Sequence, residues 1–221
     1  MRTLPTVLLA LSCTLPGLAW AQDDTMCRQG NITTQSPLGV ARIVGGPRTY
    51  LRSDTAPCPN DSAACQTRVY VVPGDTVLTG RVQGRYICAL FAGKAGSSAG
   101  YVLQSEIAAR PLAASPLAAW SGAWHDGDNT ISLKTKGAQL VASGEAYWPS
   151  ANPSLKERPG GPNLGQMSGA AAPRGNKVVF ADTDPDGCQV TMTLVPPYLA
   201  VSDTMNCGGM NVTFTGTYTK R

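Results

Sequence analysis

The sequence predicts an all-β protein built from two β segments, and three observations carry that prediction. Apolar and polar residues alternate with period two in many short runs, the spacing of a half-buried strand. Gly, Pro, Asn and Asp punctuate these runs, and no long stretch repeats with the 3.6-residue period of an amphipathic helix. Composition agrees: the 221 residues include 24 Gly and 17 Pro but only 6% aromatic side chains, as expected for short strands and tight turns.

Residues 1–21 read as a cleavable export signal. Arg2 supplies a positive start, Leu4 to Leu18 is apolar apart from Thr6, Ser12 and Thr14, and Ala19-Trp20-Ala21 fits a small-x-small cleavage site. The run is shorter than the roughly 20 apolar residues of a membrane span, so no span is expected. A competing reading takes Cys13 as a lipoprotein cysteine after Ala10-Leu11-Ser12. The apolar stretch before it is very short, and the site after Ala21 is better formed. The mature chain is expected to start at Gln22, in the periplasm or outside the cell.

Of seven cysteines, six remain once Cys13 is cut away with the signal. An even number behind an export signal points to disulfides. Six cysteines allow 15 pairings, and locality narrows them. Cys58 and Cys65 enclose a short Pro/Asn/Ser-rich loop, and Cys188 and Cys207 flank a hairpin-like stretch around Pro196-Pro197. Cys27 and Cys88 are left to tie an apolar-poor arm, 22–45, to a later strand.

Without Arg2, the 18 basic side chains become 17 against 14 acidic ones, and they are scattered. No dense Lys/Arg stripe marks a nucleic-acid partner. The stretch Ala108 to Ala118 carries Pro111 and Pro116 without alternation. It reads as a linker, with residues 111–118 separating a domain at 46–110 from one at 119–221.

In the first segment, strands are expected at Arg48–Arg52, Thr67–Val72, Asp75–Arg81, Arg85–Phe91 and Gly100–Leu103, with turns at Pro73-Gly74 and Val82-Gln83-Gly84-Arg85. Arg48-Thr49-Tyr50-Leu51-Arg52, Val72-Pro73-Gly74-Asp75, Gly84-Arg85-Tyr86-Ile87 and Gly100-Tyr101-Val102-Leu103 follow in an order that resembles a bacterial Src-homology-3-like (SH3-like) domain over Gly46 to Ile107. The resemblance implies a small barrel and a peptide groove beside the long loop after the first strand. Its aromatic lining would come from Tyr50, Tyr86 and Phe91, with Asp54 placed to receive a cation. Tyr70 and Tyr101 are equally available as core. The Cys58–Cys65 insertion (CPNDSAAC) departs from the family's loop at the groove.

The second segment opens on Trp120-Ser121-Gly122-Ala123-Trp124, which in a strand would aim both indoles one way. Ile131 and Leu133, then Val190, Met192 and Leu194, then Val212, Phe214 and Tyr218 mark further buried faces. An antiparallel meander closing into a small barrel or a sandwich follows. The Gly122-x-Trp124 start and the Gly216-Thr217-Tyr218 ending resemble lipocalin-like barrels and periplasmic inhibitor barrels. Pro149 to Gly175 reads as a long surface loop, without the order of a phosphate-binding loop.

Chemical motifs are sparse. His125 is the one histidine, placed at a hairpin turn before Asp126-Gly127-Asp128, and no Gly-x-Ser-x-Gly elbow occurs. With the cysteines in disulfides, neither a triad nor a zinc site is expected. Asp182-Thr183-Asp184-Pro185-Asp186-Gly187 imitates a calcium loop, but Thr193 stands where the bidentate Glu belongs, so it reads as a hairpin turn. Glu106, Glu145 and Glu157 form no paired-carboxylate motif, and Asn31 and Asn211 sit in formal glycosylation acceptors. No enzyme, cofactor or metal is expected. The leading expectation is an envelope protein that binds peptidoglycan peptide through the first barrel. The alternatives are an inhibitor or immunity protein acting on a secreted or periplasmic wall-degrading enzyme, and a carrier of a small apolar ligand around Trp120 and Trp124.

Overall fold

The computed structural model describes residues 26–35, 37–93, 96–148, 162–184 and 186–220. The export signal over 1–21, its competing reading at Cys13, and Pro149 to Gly161 of the expected loop lie outside them. The fold is all-β, with two antiparallel sheets. Among the described residues, no helix is long and apolar enough to cross a membrane.

The first sheet holds β1 (Gly39–Ile43), β2 (Thr49–Arg52), β3 (Gln66–Val71), β4 (Thr76–Gln83), β5 (Tyr86–Gly93), β6 (Gly96–Leu103) and β7 (Ile107–Arg110), in the order β3-β2-β6-β5-β4-β1-β7. The expected strands map onto β2 to β6. Two strands lie outside that expectation: β1 falls in the segment read as an arm, and β7 takes Ala108 to Arg110 from the stretch read as a linker. They pair with each other, Val40 opposite Arg110. Each is short and neither alternates clearly by itself.

Both faces of β5 are covered. Ile87, Ala89 and Phe91 join Ile43, Leu51 and Val77 in one core, while Tyr86, Cys88 and Leu90 join another. This matches the unbroken apolar run Tyr86 to Ala92, because a strand buried on both sides has no reason to alternate. The second core spans the two sheets. A single-turn helix α1 (Gln29–Ile32) presses Ile32 into it, and Val195, Tyr198 and Ala200 enter from the other sheet. Gln35 accepts a hydrogen bond from the Arg81 amide at 2.7 Å and donates to the Met26 carbonyl at 3.0 Å. Its side chain lies over Gly80, where a Cβ would collide with it.

The second sheet holds β8 (Gly122–Asp126), β9 (Asn129–Lys136), β10 (Gln139–Trp148), β11 (Asn163–Ala171), β12 (Lys177–Ala181), β13 (Gln189–Val195), β14 (Tyr198–Asp203) and β15 (Gly216–Lys220). Its order, β11-β10-β9-β8-β15-β14-β13-β12, pairs the first strand with the last and leaves β11 and β12 as the edges of a nearly closed barrel. The interior is filled by Trp124, Ile131, Leu133, Met192, Leu194 and their neighbours, as barrels of this size usually are.

Three expectations need correction here. Residues 163–171, in the stretch read as a surface loop, form β11 and pair along their length with β10. Trp120 does not share a strand with Trp124; it ends the short helix α2 (Leu117–Trp120). Both indoles are still buried in one core, and Trp124 Nε1 donates to the Trp120 carbonyl at 2.8 Å. Val212 and Phe214 belong to a loop rather than to the last strand. Asp203 builds that loop by accepting from Thr213 Oγ1 at 2.6 Å, Phe214 N at 2.8 Å and Thr215 Oγ1 at 2.9 Å.

The hairpin readings hold. Pro196-Pro197 turns between β13 and β14, and Asp182 to Gly187 turns between β12 and β13. In the latter turn Asp182 accepts from the Cys188 amide and Asp184 from the Asp186 amide. The disulfides are Cys27–Cys88, Cys58–Cys65 and Cys188–Cys207, with Cα separations of 5.4, 5.6 and 4.5 Å.

One carboxylate joins the arm to the second barrel. Asp126 accepts from Gln29 Nε2 at 3.1 Å and from the Thr217 amide at 3.2 Å, and it occupies the space a side chain at position 216 would need, which explains Gly216. Burial raises the Asp126 pKa above the ordinary carboxylate value, against the lowering effect of these two hydrogen bonds. A raised carboxylate pKa means that ionisation opposes folding, so this contribution is favourable at low pH and lost as pH rises. Asp126→Asn removes the charge and keeps one acceptor oxygen for the Thr217 amide, and its NH2 group donates to Gln29 Oε1 once the Gln29 amide turns over. Its Tm at pH 7 is expected to exceed that of the parent, and a lower Tm would show that the charge itself holds the contact.

Candidate functional site

The residues expected to line a groove on the first barrel are split by the sheet. Tyr86 faces the core shared by the two sheets, whereas Phe91, five residues along β5, faces the opposite core. Tyr86 is 6% exposed, and its hydroxyl donates to Asp61 Oδ1 at 2.6 Å. Asp61 also pairs with Arg85, and Arg52 sits 5.7 Å from the Tyr86 ring while donating to the Asn60 carbonyl at 2.9 Å. The Cys58–Cys65 loop thus folds onto Tyr86. Asp54 does receive a cation, but from its own chain: Arg28 Nε lies 2.9 Å from its carboxylate.

Tyr50 stays half-buried on β2, edge-on to Tyr70 with ring centroids 5.7 Å apart, and Arg48 stacks 4.7 Å over the Tyr70 ring. This is a small aromatic-cation patch, with Tyr70 exposed. The groove positions therefore do not come together as one open site.

The second barrel carries a cleft of about 620 Å3, within the range typical of ligand pockets. Strand register builds its polar wall in two rows. His125, Thr130, Glu145 and Gln166 lie opposite one another across β8 to β11, and Ala123, Ser132, Ser143 and Ser168 form the row beside it. The far side comes from Phe180, Ala181 and Asp182 at the end of β12, with Cys188 and Val190 beyond the turn. Ile131, Met167, Phe180 and Val190, almost fully buried, back the cleft from the barrel core. Gly144 also lines it; a Cβ there would press on Met167, Phe214 and the Thr130 carbonyl, each at 3.0 Å.

His125 and Glu145 sit two strands apart, roughly 9–10 Å by strand spacing, with Thr130 between them. Among the described residues, no hydrogen bond joins His125 to a serine or a carboxylate, and no three His, Cys, Asp or Glu side chains are grouped to hold a metal. What the cleft offers is a wall of hydroxyl and amide groups, two carboxylates at Glu145 and Asp182, and an apolar remainder. That set suits a small polar ligand bearing an amine.

Sequence reasoning missed this cleft for a definite reason. Gln166 and Ser168 fall in the stretch read as a loop, and Ser132 and Ser143 alternate with buried residues as on any ordinary wet face. The strict alternation around Ile131 and Leu133 located the row without revealing its curvature. No protein-family model, curated protein or solved structure matches the chain.

Proposed function

We propose that this is an exported, non-catalytic binding protein of the bacterial cell envelope that takes a small amine-bearing wall peptide in the cleft of its second barrel. The observation that carries this reading is the cleft itself, with Glu145 and Asp182 at its polar edge and Met167 and Phe180 beside them. An ammonium group beside either carboxylate gains a charge-assisted hydrogen bond. Three disulfides and the likeness of the first segment to bacterial SH3-like domains support an envelope setting. Placing the ligand in the second barrel follows from Arg28 and the Cys58–Cys65 loop already occupying Asp54 and Tyr86.

Calorimetric titration with a soluble stem peptide carrying a free side-chain amine tests this directly. The peptide is expected to bind, and its N-acetylated form at least tenfold more weakly. Glu145→Gln is expected to weaken the free amine form by a similar factor without lowering Tm, because Glu145 is exposed. If neither the peptide nor purified sacculi bind at low salt, the reading fails.

A further inference from the structure

The end of the second barrel beyond the cleft is built as a surface. The β8–β9 hairpin, the ends of β10 and β11, the turn at 182–187 and the loop at 204–215 converge there. Asn129 ties three of them together, accepting from the Tyr147 amide at 2.9 Å and donating to the Thr213 carbonyl at 3.0 Å. Asn163 Nδ2 donates to the Met210 carbonyl at 2.6 Å, Asn206 Nδ2 to the Asp186 carbonyl at 2.9 Å, and Cys188–Cys207 locks turn to loop.

Two properties of this end are unusual together. It exposes large apolar side chains: Trp148 at 44%, Leu164 at 63% and Met210 at 79%, with Tyr147 and Met205 alongside. Its described residues are also acidic, while the connection 149–161, outside them, carries Lys156 and Arg158 with Glu157. Asp128, Asp184 and Asp186 are exposed around the apolar group, and no Lys or Arg occurs among the described residues 126–129, 145–148, 162–166, 182–188 and 203–215. The opposite end is the reverse, with Lys134, Lys136, Arg174, Lys177 and Lys220 exposed and no acidic residue among 133–140 and 171–178.

We infer that the acidic end docks a protein through a positively charged face. Tyr, Trp and Met are the side chains enriched at protein interfaces, and methionine adapts its shape to a partner. The charge selects the occupant. Membrane surfaces and nucleic acids are anionic, so the aspartates repel both, whereas a basic protein is steered toward this end and away from the lysine end. A second copy offering its own lysine end has no apolar complement in the Lys134 to Gln139 turn, which exposes no large apolar side chain.

The loop is held ready for such contact. Met205 and Asn211 adopt left-handed backbone at φ 63° and 66°, a conformation that costs free energy for residues other than glycine. The Asp203 hydrogen bonds and the disulfide hold it there. A surface already ordered loses less entropy on binding. This docking role rests on Trp148, Leu164 and Met210, none of which lines the peptide cleft.

Site-specific photo-crosslinking tests the inference in the cells that make the protein. A p-benzoylphenylalanine residue at position 210 is expected to form an adduct with a protein of net positive charge, identified by mass, while the same residue at position 136 forms none. Asp184→Lys with Asp186→Lys is expected to reduce the position-210 adduct at least tenfold. Asp184→Asn with Asp186→Asn is expected to give an intermediate yield, which separates a charge effect from a folding one. No adduct at position 210, an adduct indifferent to charge reversal, or one formed with a second copy, an acidic protein or wall material overturns it. The calorimetric titration reads the cleft and the position-210 adduct reads this end, so failure of the cleft reading and failure of this one remain distinguishable.

Discussion

Replacing Cys27 and Cys88 together by serine is expected to lower the unfolding free energy by about 4 kcal/mol, the largest effect of any disulfide here. The bond spans 61 residues, and in the chain-entropy description the stabilisation grows with the loop closed in the unfolded chain. The same description gives about 3 kcal/mol for Cys188–Cys207, whose ends lie 19 apart. The structural consequence is wider than entropy. Ile32 is fully buried against Leu78 and Leu90 in the core the two sheets share, and the helix that carries it spans a single turn. A helix that short has no stability of its own. Once the staple is cut, Ile32 and Gln35 are expected to leave, exposing apolar surface of β4 and β5. Arg28 then departs from Asp54, whose side chain is 9% exposed in the intact protein. Urea unfolding followed by far-UV circular dichroism measures the first effect, and binding of an apolar dye in the absence of denaturant measures the second. A loss below about 1 kcal/mol, with no dye binding, would show that packing of the arm suffices without its staple.

The arm also shows what the sequence could and could not disclose. Its disulfide was readable by elimination, because two cysteine pairs were local and only Cys27 and Cys88 remained. Its strand was not. β1 earns its place by pairing with β4 and β7, which lie far along the chain, and single-sequence alternation carries no trace of such partners. The strands with the clearest patterns, β5, β9 and β13, were legible because Ile131 and Leu133, Val190 to Leu194 and the run Tyr86 to Leu90 are packed into a core. Trp120 and Phe214 were recognised as core but assigned to strands, since burial was apparent in their chemistry while their backbone is set by a helix turn and by Asp203. The candidate groove failed to assemble for a related reason. Tyr86 and Phe91 differ by an odd number of positions and must face opposite ways in a strand, so the pair was separable on parity alone. Occupation of Asp54 by Arg28 depends on where the arm lies, which no local pattern encodes. The charge polarity of the second barrel follows from topology: the acidic turns at 126–129 and 182–187 lie far apart in sequence, as do the basic ones at 134–139 and 171–177, and only the meander gathers each kind at one end.

Tyr198→Ala is expected to cost about 3–5 kcal/mol and to divide one unfolding transition into two. Tyr198 lies on β14 in the second sheet, yet its ring packs with Val40, Leu78 and Leu90 of the first, and its hydroxyl donates to the Thr76 carbonyl at 2.5 Å. It is 3% exposed. Removing the ring leaves a cavity at the junction of the two sheets, so the sheets are expected to lose their cooperativity along with the lost packing. Tyr198→Phe keeps the ring and leaves the Thr76 carbonyl without its donor, a smaller loss of about 1–2 kcal/mol and still a single transition. The hydroxyl gives a pH signature that cavity effects lack. Burial pushes its pKa up to about 12, from an ordinary value near 10. The protonated form is the one the fold favours, so the stabilisation is complete below about pH 10 and is lost as pH rises toward 12, amounting to roughly 2–3 kcal/mol in all. Burial also raises the pKa of Tyr218, which donates to the Phe214 carbonyl at 2.9 Å, so part of the alkaline loss belongs to the second barrel alone. Chemical unfolding at pH 9 and pH 11.5 separates the contributions. Tyr198→Phe is expected to show a shallower decline than the parent between these two values, because the ionisable group at the junction is gone. Equal declines would mean that Tyr198 ionises with little cost, and a single transition in Tyr198→Ala would mean that the arm, through Cys27–Cys88 and Gln29, couples the sheets without it.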